Sequence, residues 1–96
     1  MIKTSVSQDA TSRIRRFVMR TFPLARKRDV GDTTDLLNSG IIDSLGVLDL
    51  VAFLQQEFVV VVDEGDFIPE NFKSIECMVK FVERMLEPPA RSIQSV

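Results

Sequence analysis

Between Ala10 and Leu86 the apolar residues fall into three helical stripes separated by two connections. Ala10, Ile14, Phe17 and Val18 recur at three- and four-residue steps, the spacing that lines up side chains on one face of an α-helix. Arg13, Arg15, Arg16 and Arg20 lie mostly off that stripe. Pro23 ends the segment, because the residue before a proline avoids helical backbone. The expected first helix covers residues 7–21.

A second stripe, Val47, Leu50, Val51, Leu54 and Phe58, predicts a helix over 44–58 with Ser44 as its N-cap. This segment is apolar on more than one side. Leu45, Leu48 and Ala52 form another row, rotated away from the first, and a domain this small cannot easily bury both. The second row reads as a docking surface. The long connection ahead of it carries two apolar pairs, Leu36-Leu37 and Ile41-Ile42, which would pin it to the core and deliver Ser44 to a defined place. Within that connection the "ARKR" run at 25–28 reads as a solvated loop.

After Phe58 come four valines. They favour extended backbone, but no second strand pattern appears for them to pair with, so a buried apolar connector is expected. Pro69 suits the first turn of a brief helix over 69–72. Ser74 is the next N-cap, with Glu76 in the favourable first turn. Ile75, Met78, Val79, Val82, Met85 and Leu86 then define a last amphipathic helix over 75–87, stopped by Pro88-Pro89. The expected fold is all-α, a small antiparallel bundle of three main helices plus one short helix, in one domain over 1–87 with a flexible tail over 88–96.

Composition narrows the chemistry. The 96 residues contain no histidine and one cysteine, so neither a His-activated nucleophile nor a Cys/His zinc site can be built within the chain. No Gly-rich phosphate loop is present either, and an enzyme is not expected. The net charge of −2 hides a split. Residues 1–31 hold eight Lys/Arg against two Asp, and residues 32–87 hold three against twelve acids. That acidic larger part argues against a nucleic-acid module. No apolar run approaches the roughly 20 residues of a membrane span, so a cytoplasmic protein is expected. Cys77 reads as a small apolar filler on the buried side of the last helix.

Ser44 remains the residue with a chemical question attached. As a tripeptide Asp43-Ser44-Leu45 is weak, since most serines at helix starts are only caps. Its context is more specific. Gly40-Ile41-Ile42-Asp43-Ser44-Leu45 resembles the motif that opens the second helix of acyl and peptidyl carrier proteins. The likeness continues through "LGVLDLVAFLQQEF" and "DEGDFIPENFKSIECMVKFVERM", and so runs from about Ser12 to Leu86.

The resemblance implies an acyl-carrier-like fold and a phosphopantetheine arm esterified to Ser44, flanked by Asp43. It implies partner-facing positions at Leu45, Leu48, Asp49 and Ala52, and contacts to arm or cargo at Ile68 and Phe72. The partners implied are a phosphopantetheinyl transferase, an acyl- or aminoacyl-loading ligase, and downstream condensing or tailoring enzymes. Gly46 after the triplet resembles carriers of secondary-metabolite pathways, polyketide or nonribosomal-peptide in kind. Two departures stand out. Val59 replaces a glycine that often ends the second helix, and Gln55 and Gln56 occupy positions that are often acidic. A different class stays open beside this one: a helical interaction domain without a prosthetic group, in which Ser44 is only an N-cap.

Overall fold

A computed structural model describes the backbone of residues 2–86 and the side chains of residues 9–86. The described residues are all-helical, with no strand. In chain order they form α1 (Ile2–Thr21), α2 (Pro23–Lys27), α3 (Ser44–Phe58), a 3₁₀ turn (Glu64–Asp66), α4 (Pro69–Phe72) and α5 (Ile75–Met85). The expected tail over 88–96 lies outside the described residues, as does Glu87 at the end of the expected last helix.

Helix α1 begins earlier than its stripe suggests, and its core face is the expected one: Ala10, Ile14 and Val18 are buried and Phe17 packs against them. Helix α3 turns Leu50, Val51 and Leu54 into the same core, where full burial of each aliphatic side chain is worth about 1.5–3 kcal/mol. The two helices run antiparallel. Arg13 reaches Glu57 at 3.3 Å, Phe17 stacks on Phe53 with ring centroids 4.2 Å apart, and the Phe22 ring meets α3 at Gly46. Helix α5 adds Ile75, Met78, Val79 and Val82, together with Phe81, which the expected stripe omitted. Leu86 is exposed, and Cys77 is only half-buried rather than a core filler.

The "ARKR" segment is not a loop. Pro23 does end α1, but it also opens α2, because its fixed φ and missing N–H suit a first helical position. Ala25 is fully buried, and the Arg26 guanidinium donates to the carbonyl oxygens of Met19 and Arg20 at the end of α1. Those carbonyls lack intrahelical partners, so the turn is locked by satisfying them.

The long connection is ordered, as its paired apolar residues predict. Leu36, Ile41 and Ile42 are buried. Backbone bonds stitch it to the α4–α5 junction: Leu36 N–H donates to Lys73 O at 2.7 Å, and Glu76 N–H to Asp32 O at 2.9 Å. Arg15 pairs with the Asp32 carboxylate from α1. Within the connection the Asn38 backbone N–H donates to Asp35, and that bond holds the Asp35 carboxyl below its ordinary pKa of 3.8. A depressed carboxylate contributes stability above that value and loses it as the pH falls through the folded-state pKa.

The four valines are a connector, but only partly a buried one. Val60 is buried and Val62 half-buried, whereas Val59 and Val61 are exposed. An extended run alternates its faces, and the Gln55 side chain fixes the register by accepting Val62 N–H at 2.9 Å. Val59 supplies the left-handed turn that ends α3, at φ 53° and ψ 52°, and Val60 N–H donates back to Gln55 O. The glycine-type cap therefore forms without its glycine. A left-handed β-branched residue is strained by about 1–2 kcal/mol, and the Val59 side chain, 87% exposed, gains little from burial in return. Val59→Gly is expected to raise unfolding free energy by about 0.5–1 kcal/mol, the relieved strain less the extra entropy of an unfolded glycine. Urea denaturation with an unchanged m-value checks it; a loss of stability would contradict the strain.

Candidate functional site

The start of α3 is where the structure departs most usefully from expectation. Asp43, not Ser44, is the N-cap. Its backbone is extended at φ −97° and ψ −173°, and its Oδ1 accepts the Gly46 N–H at 2.8 Å. Its own carbonyl accepts Val47 N–H, the first bond of the helix. Ser44 is consequently the first helical residue. It is exposed, and its hydroxyl makes no hydrogen bond among the described residues. The adaptor reading, in which Ser44 serves as the cap, loses its stated basis because the preceding carboxylate already satisfies that end of the helix.

Gly46 makes this arrangement possible. A Cβ there would lie 2.8 Å from Ile42 Cγ2 and 2.8 Å from Phe22 Cε1, with Asp43 Oδ1 at 3.4 Å. Ile42 and Phe22 are both buried, so neither can swing aside. An isolated glycine inside a helical pattern is a legible sign of such close packing, but the sequence does not reveal what approaches. Gly46→Ala would gain helix propensity of about 1 kcal/mol and lose about 1–3 kcal/mol to overpacking. The expected result is a net destabilisation with a displaced Asp43 cap, checked by a thermal melt and by amide exchange at Gly46 and Val47; a more stable variant would contradict it.

Ser44 stands at the mouth of a cleft of about 520 Å³. The long connection forms one wall with Leu37 and Ile42, α3 contributes Val47, and Phe67, Ile68 and Pro69 form the opposite side. Phe72 closes the floor. That opposite wall is held by a buried polar tie: Asn71 Nδ2 donates to Asp66 O, and Arg84 donates to Asn71 Oδ1, both at 2.8 Å. The wall residues Leu37, Val47, Phe67 and Pro69 were not expected at the site: Leu37 and Val47 read from sequence as core-facing, and for Phe67 and Pro69 nothing in a short turn's pattern shows which way it faces.

Of the eight residues singled out, the cleft brings together Asp43, Ser44, Ile68 and Phe72. Ile68 is 43% exposed on the rim and is not part of the core. Phe72 is 1% exposed and belongs to the core, against Phe67 and Phe81, so it offers nothing to a protein partner's surface. Leu45, Leu48, Asp49 and Ala52 do not line the cleft. They occupy an exposed face of α3, with Leu45 73% and Leu48 55% accessible. No group of His, Cys, Asp and Glu side chains among the described residues is arranged to hold a metal ion. No helix among them is long and apolar enough to cross a membrane.

An all-helical bundle that presents an unengaged serine at the head of a main helix, beside an apolar cleft, has the form of a carrier domain. No protein-family model matches the chain. The chain is, however, 35% identical over 63 residues to the "probable acyl carrier protein PigG" of Serratia sp. (strain ATCC 39006), a match covering 66% of this chain and 72% of that protein. The protein belongs to the acyl carrier protein family. That membership supports a carrier role for it.

Proposed function

We propose that the protein holds an acyl or aminoacyl group as a thioester on a phosphopantetheine arm esterified to Ser44, and presents it to the enzymes of a secondary-metabolite or dedicated acyl/aminoacyl biosynthetic pathway. One observation carries this reading above the others. The backbone demands at the head of α3 are met by Asp43, which leaves the Ser44 Oγ exposed and free to accept a substituent.

The setting suits that group. A phosphodiester on Ser44 lies at the N-terminus of a 15-residue helix, where unpaired N–H groups and the helix dipole favour negative charge. The arm's terminal thiol supplies the thioester chemistry; the chain's own thiol, Cys77, is half-buried on α5 and does not line the cleft. With no histidine to deprotonate Ser44, its activation falls to the transferase that attaches the arm. Asp43, adjoining the hydroxyl, flanks that reaction while keeping the helix end in register. The apolar cleft shelters the arm or a short cargo against Ile68 and Val47 above Phe72. Tethering then replaces free diffusion with an effective concentration on the order of millimolar at a docked enzyme. Leu45, Leu48 and Ala52, with Asp49 beside them, form the face that meets the loading ligase and the later condensing or tailoring enzymes.

The test is intact-mass analysis of the apo protein after incubation with coenzyme A and a broad-specificity transferase. The expected product carries one phosphopantetheine, and peptide mapping places it on Ser44. No addition, or addition elsewhere, would falsify the proposal.

A further inference from the structure

Among the described residues two polar side chains are buried, Asn71 and Ser74. Ser74 is accounted for as the cap of α5. Asn71 lies within α4, 7% exposed, and does not line the cleft. An apolar side chain of its size could fill that place without the desolvation that an amide brings. What the amide adds is direction. Its Nδ2 donates to the carbonyl of Asp66, the residue just ahead of the wall, and its Oδ1 accepts from Arg84 on α5, both at 2.8 Å. The Arg84 guanidinium lies 5.8 Å from the centre of the Phe81 ring, and Phe81 packs on the floor residue Phe72. The wall has little else to fix it. Phe67 and Ile68 are 41% and 43% exposed, and the Gln55 tie holds the chain only as far along as Val62. The segments on either side are a 3₁₀ turn of three residues and a helix of four, too short to keep a course by their own hydrogen bonds.

Resting on the carrier reading, we propose that Asn71, braced by Arg84, sets the width of the cleft and through it the largest apolar acyl group that the protein shelters beside Ser44. Asn71 is a positioning residue. It acts through Phe67, Ile68 and Pro69 and touches neither arm nor cargo. With both of its bonds made, the wall stands at a fixed distance from Leu37 and Val47, and the space between them is about 520 Å³. An apolar chain gains by entering in proportion to the area it covers, until that space is filled. A longer chain leaves its far end in water. With either bond lost, the wall has more than one position, because a buried polar network specifies a single arrangement only while every member is satisfied. The size limit then blurs.

The experiment uses the full-length protein, with arm and acyl group delivered together to Ser44 by a broad-specificity transferase. The donors are acetyl-, butyryl-, hexanoyl-, octanoyl- and decanoyl-coenzyme A. Cleavage of each thioester by hydroxylamine is followed by intact mass at a fixed pH, for wild type, Arg84→Met, Arg84→Lys and Asn71→Asp. In wild type, cleavage is expected to slow by up to about fourfold per sheltered methylene and to level off once the cleft is full. Arg84→Met keeps a stem over Phe81 and removes the donor to Asn71. It should cut the protection of the best-sheltered chain by about tenfold, the worth of one hydrogen bond to a charged group, lose the levelling-off, and leave the acetyl thioester unchanged. Arg84→Lys can still donate to Asn71 Oδ1 and should keep most of the profile. Asn71→Asp still accepts from Arg84 but cannot donate to the Asp66 carbonyl, so it should lose the profile while remaining folded. Melting midpoints are taken on the same preparations. A merely structural role would lower the midpoint without moving the chain length at which protection levels off. Levelling-off at the same length in Arg84→Met as in wild type, or wild-type rates that do not vary with length, overturns the inference and leaves the arm in place. A Ser44 that never gains the arm overturns the carrier reading itself.

Discussion

Ser44→Ala is expected to abolish phosphopantetheine attachment and every later loading step while leaving the fold and its stability unchanged within about 0.5 kcal/mol. Both halves follow from one piece of geometry. The hydroxyl is the only nucleophilic atom of the motif at the cleft mouth, and it makes no hydrogen bond among the described residues whose loss would cost anything. Asp43→Ala has the opposite profile. It removes the carboxylate that accepts Gly46 N–H and should cost about 0.5–2 kcal/mol of stability. Ser44 would stay modifiable, though more slowly as the helix end loosens. Asp43→Asn, which can still accept that bond, should recover most of the stability. Thermal or urea unfolding, run beside intact-mass assays on the same preparations, separates the two. Were Ser44→Ala to lose more than about 1 kcal/mol, the serine would be acting as a cap after all.

Phe72→Ala should be the most damaging single change to stability near the site. The ring is buried, contacts Phe67 at 6.1 Å and Phe81 at 5.7 Å between centroids, and forms the cleft floor. Truncating such a ring costs about 3–5 kcal/mol, a large share of the roughly 5–15 kcal/mol that holds a whole domain. For a chain of this size the midpoint should fall by on the order of 15 °C or more. Phe72→Leu keeps most of the volume and should lose only about 1–1.5 kcal/mol. Ile68→Ala, four residues away on the exposed rim, should cost about 1 kcal/mol or less. Calorimetry on the three variants checks the order. If Ile68→Ala proved as costly as Phe72→Ala, the rim would be part of the core and the cleft would not be open.

What the sequence revealed depended on periodicity. Helix α3 has the bounds its apolar spacing predicts, and Ser74 caps α5 by accepting Cys77 N–H at 3.1 Å. Fifteen residues contain enough repeats to fix which side faces inward. Shorter pieces do not. Ile68 and Phe72 sit in a turn and a four-residue helix, where no period exists to say which one points into the core. The four valines carry identical side chains, so the choice of Val60 as the buried one comes from the Gln55 tie and the left-handed Val59. Helix α2 was missed because a proline ends one helix and opens another with the same ring.

The head of α3 was ambiguous for another reason. Asp and Ser are nearly equal as N-caps, and in Asp43-Ser44 either could take the bond. Only the close approach of Phe22 and Ile42 to Gly46 shows where the chain bends, and neither residue is near Gly46 in an obvious sequence pattern. The spacing put the serine at the right helix and one position out of register. That single position separates a structural hydroxyl from a free one.

The most direct measurement is the intact mass of the protein purified from its native host. The expected result is a mass raised by a phosphopantetheine arm, with or without a thioester-bound cargo, and a fragment spectrum that assigns the whole increment to Ser44. A homogeneous population at the bare polypeptide mass, from cells actively using the pathway, would contradict the carrier role proposed for that serine.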